Sequence, residues 1–152
     1  MTLDSIDRNI LNLLQTNGDL TNAQLAERVK LSPSACHRRV QRLEANGVIE
    51  GRVTLVRPEL VGKHTTVSVE VSLDSQSAEC LDAFEKAVKD CPEVMECYLM
   101  SGETDYMLRV IATDTPNYEH IHRRYLSKLP GVARVHSNFA LRIVCKKTAF
   151  MV

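Results

Sequence analysis

The sequence has no surplus of either charge, because lysine and arginine total 19 and so do aspartate and glutamate. A global field that would draw the molecule to nucleic acid or to an anionic membrane is therefore absent, and any such role must come from how the charges are distributed. No apolar run approaches the ~20 residues needed to cross a bilayer, and the first helical pattern is too rich in aspartate to be a targeting peptide. Membrane roles are set aside, and the expected location is cytoplasmic. The cysteines (Cys36, Cys80, Cys91, Cys97 and Cys145) are odd in number and irregularly spaced. That favours reduced core thiols over a disulfide framework or a metal site. His120 and His122 face different ways on a predicted helix and lack the four-residue spacing of a helical metal pair. There is no nucleophile motif, no phosphate-binding glycine loop and no acid/base pair, so neither an enzyme nor a cofactor is expected.

What is present is enough chain, 152 residues at 44% hydrophobic, for one ordinary domain or two small ones with modest cores. Charge is unevenly spread along it. From Gln24 to Arg57 the bases Arg28, Lys30, Arg38, Arg39, Arg42, Arg52 and Arg57 face only Glu27, Glu44 and Glu50, whereas the preceding segment sets Asp4, Asp7 and Asp19 against Arg8.

Leu3, Ile6, Ile10, Leu11 and Leu14 recur at helical spacing, with Asp4 placed as a cap and Asp7 in the favourable first turn. Thr21 to Gln24 fits a capping box ahead of a short second helix that buries Leu25, Ala26 and Val29. Ser32 can cap a third helix whose first position is Pro33 and whose stop is Gly47. On a wheel at ~100° per residue, Cys36, Val40 and Leu43 share one face of that helix. Ser34, Arg38, Gln41, Arg42 and Ala45 take the opposite one, with His37 and Arg39 at the margins.

A short helix, a turn near Leu31 and a second helix with long donors outward have the spacing of a helix-turn-helix, whose second helix lies in a DNA major groove. Arg can donate bidentately to guanine and Gln to adenine, while serine, threonine and the remaining arginine can hold phosphates. The candidates for that interface are Thr21, Asn22, Ser32, Ser34, His37, Arg38, Gln41 and Arg42. The alternative is a three-helix module that binds protein, attached to a small-molecule-sensing domain.

Pro58 and Gly62 interrupt both periodicities, which divides the chain into a helical domain over 1–52, a hinge strand or linker over 53–63 and a second domain over 64–152. In the second domain Val67, Val69, Val71 and Leu73 alternate as in a strand. Cys80, Leu81, Phe84, Ala87 and Val88 mark a helix, and "VMECYLMSGETDYMLRVIA" reads as two strands around Gly102 to Asp105. A helix follows Thr115-Pro116, and Val135, Ser137, Phe139, Leu141 and Ile143 alternate through a last strand. Strand, helix, strand, strand, helix, strand is the ferredoxin-like order, an antiparallel sheet with both helices on one face. The fold class is α+β, and Ile111, Tyr98 and Met100 suggest that the other face meets another subunit.

"LTNAQLAERVKLSPSACHRRVQRLEANGVIEG", "PEVMECYLMSGETDYMLRV" and "LPGVARVHSNFAL" together resemble the Lrp/AsnC family, the leucine-responsive, feast-or-famine transcription regulators, over nearly the whole chain. Arg52 departs from the pattern, since many relatives carry an aromatic after the glycine. The resemblance implies a winged helix-turn-helix tethered to a ferredoxin-like domain that dimerises through its sheet, with dimers gathering into tetramers or octamers. It also implies double-stranded DNA as partner, a nucleoid-associated location and a small amino acid effector, leucine-like in the first instance. That effector would lie near the loop Met100, Ser101, Gly102, Glu103, Thr104, Asp105 and Tyr106 and the start of the last strand at His136, Ser137 and Asn138. Gly102 would admit a ligand close to backbone N–H groups, and Asp105 or Glu103 could accept from its ammonium.

Overall fold

The computed structural model describes residues 2–152, which form two compact units. One runs as far as Leu55 and also takes in Val144–Val152; the other is Val56–Ile143.

The first unit holds three helices, α1 (Ser5–Thr16), α2 (Asn22–Arg28) and α3 (Pro33–Ala45). Each starts on a side-chain cap. Asp4 and Asp7 form a reciprocal capping box on α1, Thr21 and Gln24 do the same on α2, and the Ser32 hydroxyl accepts from the Ala35 N–H at the head of α3. Each box satisfies N–H groups that a helix start otherwise leaves without partners. The α2–α3 turn passes through Lys30 at φ 56°, a left-handed conformation that disfavours side chains. Gly47, at φ 69°, ends α3 as its position predicts. Ile10, Leu11, Leu25, Ala26, Val29, Cys36, Val40 and Leu43 make the core, one apolar stripe from each helix.

From Gly51 to Arg57 the chain has no regular structure and pairs with no strand among the described residues, then makes one 3-10 turn at Pro58–Val61. The second unit follows as β1 (Thr65–Leu73), α4 (Ala78–Val88), β2 (Val94–Leu99), β3 (Tyr106–Ala112), α5 (Thr115–Arg124) and β4 (Val132–Phe139). The sheet is antiparallel in the order β2-β3-β1-β4, which is the ferredoxin-like arrangement. Val67, Val69 and Val71 of β1 and Leu108 and Val110 of β3 are buried with Phe84, Val88, Tyr118 and Ile121 of the helices, so both helices cover one face.

The last strand is shorter than its alternation suggests. β1 begins at Thr65, so its ladder with β4 ends where Ala140 N–H donates to Thr66 O at 2.9 Å. Among the described residues Leu141 and Ile143 have no neighbouring strand to alternate against, and Leu141 is fully exposed. Alternation alone does not make a strand, whose backbone N–H and C=O groups also need a partner edge to bond to.

Gly131 (φ 70°) precedes β4, and a Cβ there would collide with Cys80 Sγ. Gly131→Ala adds a left-handed backbone penalty to an overpacked contact and is expected to cost the second unit about 2 kcal/mol. In denaturant unfolding, adding Cys80→Ala should recover the contact part of that loss and leave the backbone part.

Candidate functional site

The exposed face of α3 narrows to three donors. His37, Arg38 and Gln41 are exposed, and among the described residues none of them has a side-chain hydrogen bond. Ser34 shares that face, its hydroxyl 3.2 Å from that of Ser32. The α2 candidates help to build the motif. Thr21 caps α2, which uses a lone pair of the hydroxyl and leaves its hydrogen for another acceptor. Asn22 Nδ2 donates to Pro33 O at 2.8 Å, fixing the start of α2 against the start of α3.

Arg42 requires a correction. Its guanidinium does not stand free beside Arg38 but donates to Asp7 Oδ2 at 2.6 Å, while Arg39 donates to Asp7 Oδ1 at 2.8 Å and to Asp4 Oδ2 at 2.7 Å. Asp7 is fully buried on the apolar side of α1. Two arginines one turn apart on α3 thus straddle a buried carboxylate, which fixes how far α3 is turned about its axis. The sequence signal was there: an acid among Ile6, Ile10 and Leu11 needs a buried counter-charge. The Asp7 N–H and Arg39 together hold the Asp4 carboxyl below its usual range. Arg52 pairs with Glu44 of α3 at 3.1 Å, both half exposed.

The second candidate region lies between β2 and β3. Met100 N–H donates to Asp105 O at 2.8 Å, closing the loop. Ser101, Gly102 and Glu103 are exposed on it, and a Cβ on Gly102 would meet nothing within 4 Å. The space beside Gly102 is open, and this chain alone does not require a glycine there.

Asp105 is buried, and both its oxygens are occupied, Oδ2 by Leu73 N–H at 2.7 Å and Oδ1 by Gln76 Nε2 at 2.8 Å. It is a brace between the loop and the end of β1, which corrects the expectation that it is a free acceptor. Tyr106 likewise points inward, stacked on Phe84 at 4.4 Å with its hydroxyl donating to Glu85 at 2.8 Å. Burial first, and then the Glu85 carboxylate, push its ionisation far above the ordinary range. Ser137 also faces the helices, 2.6 Å from the Tyr118 hydroxyl, whereas His136 and Asn138 lie on the open face of the sheet.

That open face brings part of the predicted set together. Of that set, Thr104 and His136 line a hollow of about 230 Å³, together with Glu70, Ser72, Arg134 and Val135. Ser72 Oγ is buried there and has no hydrogen-bond partner among the described residues. Glu70, Ser72, Arg134 and Val135 were missed in the sequence, although the period of two in β1 places Glu70 and Ser72 together on the face away from the core. Burial pushes the Cys36, Cys91 and Cys97 thiols up, while Cys145 is exposed. Among the described residues no cluster of His, Cys, Asp or Glu could hold a metal, and no helix is long and apolar enough to cross a membrane.

A helix-turn-helix with an exposed donor face, joined to a ferredoxin-like domain with a polar hollow, defines a class: DNA-binding regulators that pair a reading head with a sensing domain. Residues 3–50 match the model of a winged helix-turn-helix DNA-binding domain, and residues 66–150 match the Lrp/AsnC ligand binding domain. The chain belongs to the Lrp/AsnC family, whose members are transcriptional regulators and not enzymes. It is 41% identical over 130 residues to the leucine-responsive regulatory protein of Escherichia coli K12, covering 86% of this chain and 79% of that one. It superposes on a transcriptional regulator from Neisseria meningitidis in complex with L-Met at a TM-score of 0.92, with 37% identity over 98% of this chain and 96% of that one. An AsnC family regulator from Agrobacterium tumefaciens gives the same TM-score at 39% identity, over 97% and 96% of the two chains.

Proposed function

We propose that this regulator is controlled by a small amino acid that binds at the hollow between the β2–β3 loop and β4, and that binding acts by changing how copies of the chain assemble. The observation that carries the reading is the meeting of Glu70, Arg134 and the unpartnered Ser72 hydroxyl with Thr104 and His136. A carboxylate and a guanidinium at one hollow match the ammonium and carboxylate of a zwitterion. That leaves the exposed loop residues Met100 to Glu103 to meet the side chain, with leucine and methionine as the first candidates.

Assembly is supported by apolar surface without cover. Val53, Leu55, Leu60, Val61, Leu141 and Val144 are all at least 61% exposed, and they lie on the two stretches that connect the units. Buried against a second copy, they would add the contacts that a single chain lacks. On this reading the open face of the sheet, carrying Tyr98, Met107 and Ile111, is part of the dimer interface, and dimers gather further into tetramers or octamers. The effector shifts these states only through a difference in its affinity for them. The location is cytoplasmic, with DNA as the principal partner.

Thermal unfolding against a panel of amino acids tests the reading. An effector at one hundred times its Kd should stabilise the native form by about 2.7 kcal/mol, a shift of several degrees. Ser72→Ala should reduce the shift without lowering the melting point in its absence. No shift with any amino acid would count against the proposal.

A further inference from the structure

The segment after β4 returns to the helical unit and is held there in a specific way. One side chain grips the Phe150 backbone at both polar atoms: Gln15 Nε2 donates to Phe150 O at 2.9 Å, and Phe150 N–H donates to Gln15 Oε1 at 3.0 Å. Val152 N–H donates to Asn12 Oδ1 at 3.2 Å. Asn12 and Gln15 lie three residues apart on α1 and so share a face. Beside them Leu3, Leu11, Leu14, Val48 and Ile49 line an open hollow of about 550 Å³ that Phe150 and Val152 also border. Val152 packs against the core of the helical unit, whereas the Phe150 ring is 74% exposed. The contact is therefore made by main chain at alternate residues and one small apolar anchor. This is how an extended peptide is recognised at a sheet edge, with two side-chain amides standing in for the edge strand.

We propose that the Asn12 and Gln15 face of α1 is a peptide-docking site whose resident is the chain's own Thr148–Val152 segment, and that docking gives the DNA-binding unit a second tether. The chain leaves the helical unit after Leu55 and re-enters it at Val144. Docking thus closes a loop through the ferredoxin-like unit, and release leaves the reading head on a single connector. A head on one connector explores more orientations, which lowers the effective concentration of its α3 face at a DNA site. The contacts are three neutral hydrogen bonds, two of them exposed and one half-buried, and a single valine, so the tether is one that opens and closes instead of a permanent part of the core.

The experiment uses a variant ending at Lys147 and a fluorescent peptide of residues 146–152. The peptide should bind the shortened chain saturably, and at least tenfold more weakly both to the full chain, where the site is filled, and to the shortened chain carrying Gln15→Ala. Absence of saturable binding, or equal binding to the Gln15→Ala form, would overturn the proposal. Hydrogen exchange on the full chain keeps the test independent of whether the shortened chain folds. The Phe150 and Val152 amides should be protected, and Gln15→Ala should remove that protection while leaving the β1 and β3 amides unchanged. Protection that rises with protein concentration would give the site to a second copy's segment and overturn docking within one chain.

Discussion

Asp7→Ala is expected to cost the DNA-binding unit about 3 kcal/mol, a large share of the stability of so small a core. Asp7 is fully buried and accepts from Arg39 at 2.8 Å, from Arg42 at 2.6 Å and from the Asp4 N–H at 3.3 Å. Removing one partner of a buried pair leaves charge without compensation, which generally costs 3–5 kcal/mol. The lower end applies because the arginine side chains are 27% and 48% exposed and can recover water. Asp7→Asn keeps the volume and should recover little, since an amide oxygen without charge cannot satisfy two guanidinium groups. Chemical unfolding followed on the helical unit checks both variants. A loss below 1 kcal/mol would mean that the pair is solvated and orients nothing.

The second large effect separates two arginines that the sequence placed on one face. Arg38→Ala should leave stability within about 0.5 kcal/mol, because its side chain has no bonded partner among the described residues. If Arg38 reads a base, the variant should lose on the order of 1–3 kcal/mol of DNA affinity at one position of the site. Arg42→Ala should do the reverse first, lowering the melting point through the loss of its bond to Asp7, with DNA affinity falling as a consequence. Stabilising the helical unit by another route should restore binding to Arg42→Ala and not to Arg38→Ala. Measuring the melting point and the salt dependence of binding for both variants distinguishes the cases.

These two residues also show where sequence reasoning stopped. Helix starts were legible because Asp4, Thr21 and Ser32 carry their function locally, in hydrogen bonds to their own helices. The buried faces were legible for the same reason, since periodicity is a property of one element. The partner of Arg42 lies 35 residues away, and a wheel records only direction. Arg42 sits at the edge of the outward arc, and the acid on α1 decides which way it turns. Asp105 shows the same limit: its loop suggested an exposed acceptor, while the end of β1 and Gln76 claim both its oxygens. At the hollow, the loop and β4 were within reach of sequence, but Glu70 and Ser72 come from β1 through the pairing register, which a single strand cannot show.

The most direct measurement is a binding titration on a DNA fragment selected by the protein from genomic fragments, against the same fragment scrambled. It should be run with and without the amino acid that raises the melting point. Binding to the selected fragment should be at least ~10³-fold tighter than to the scrambled one, should weaken in Arg38→Ala and should shift when the amino acid is added. Equal affinity for the two fragments, or affinity indifferent both to Arg38 and to every amino acid, would contradict a reading head on α3 under the control of an amino acid.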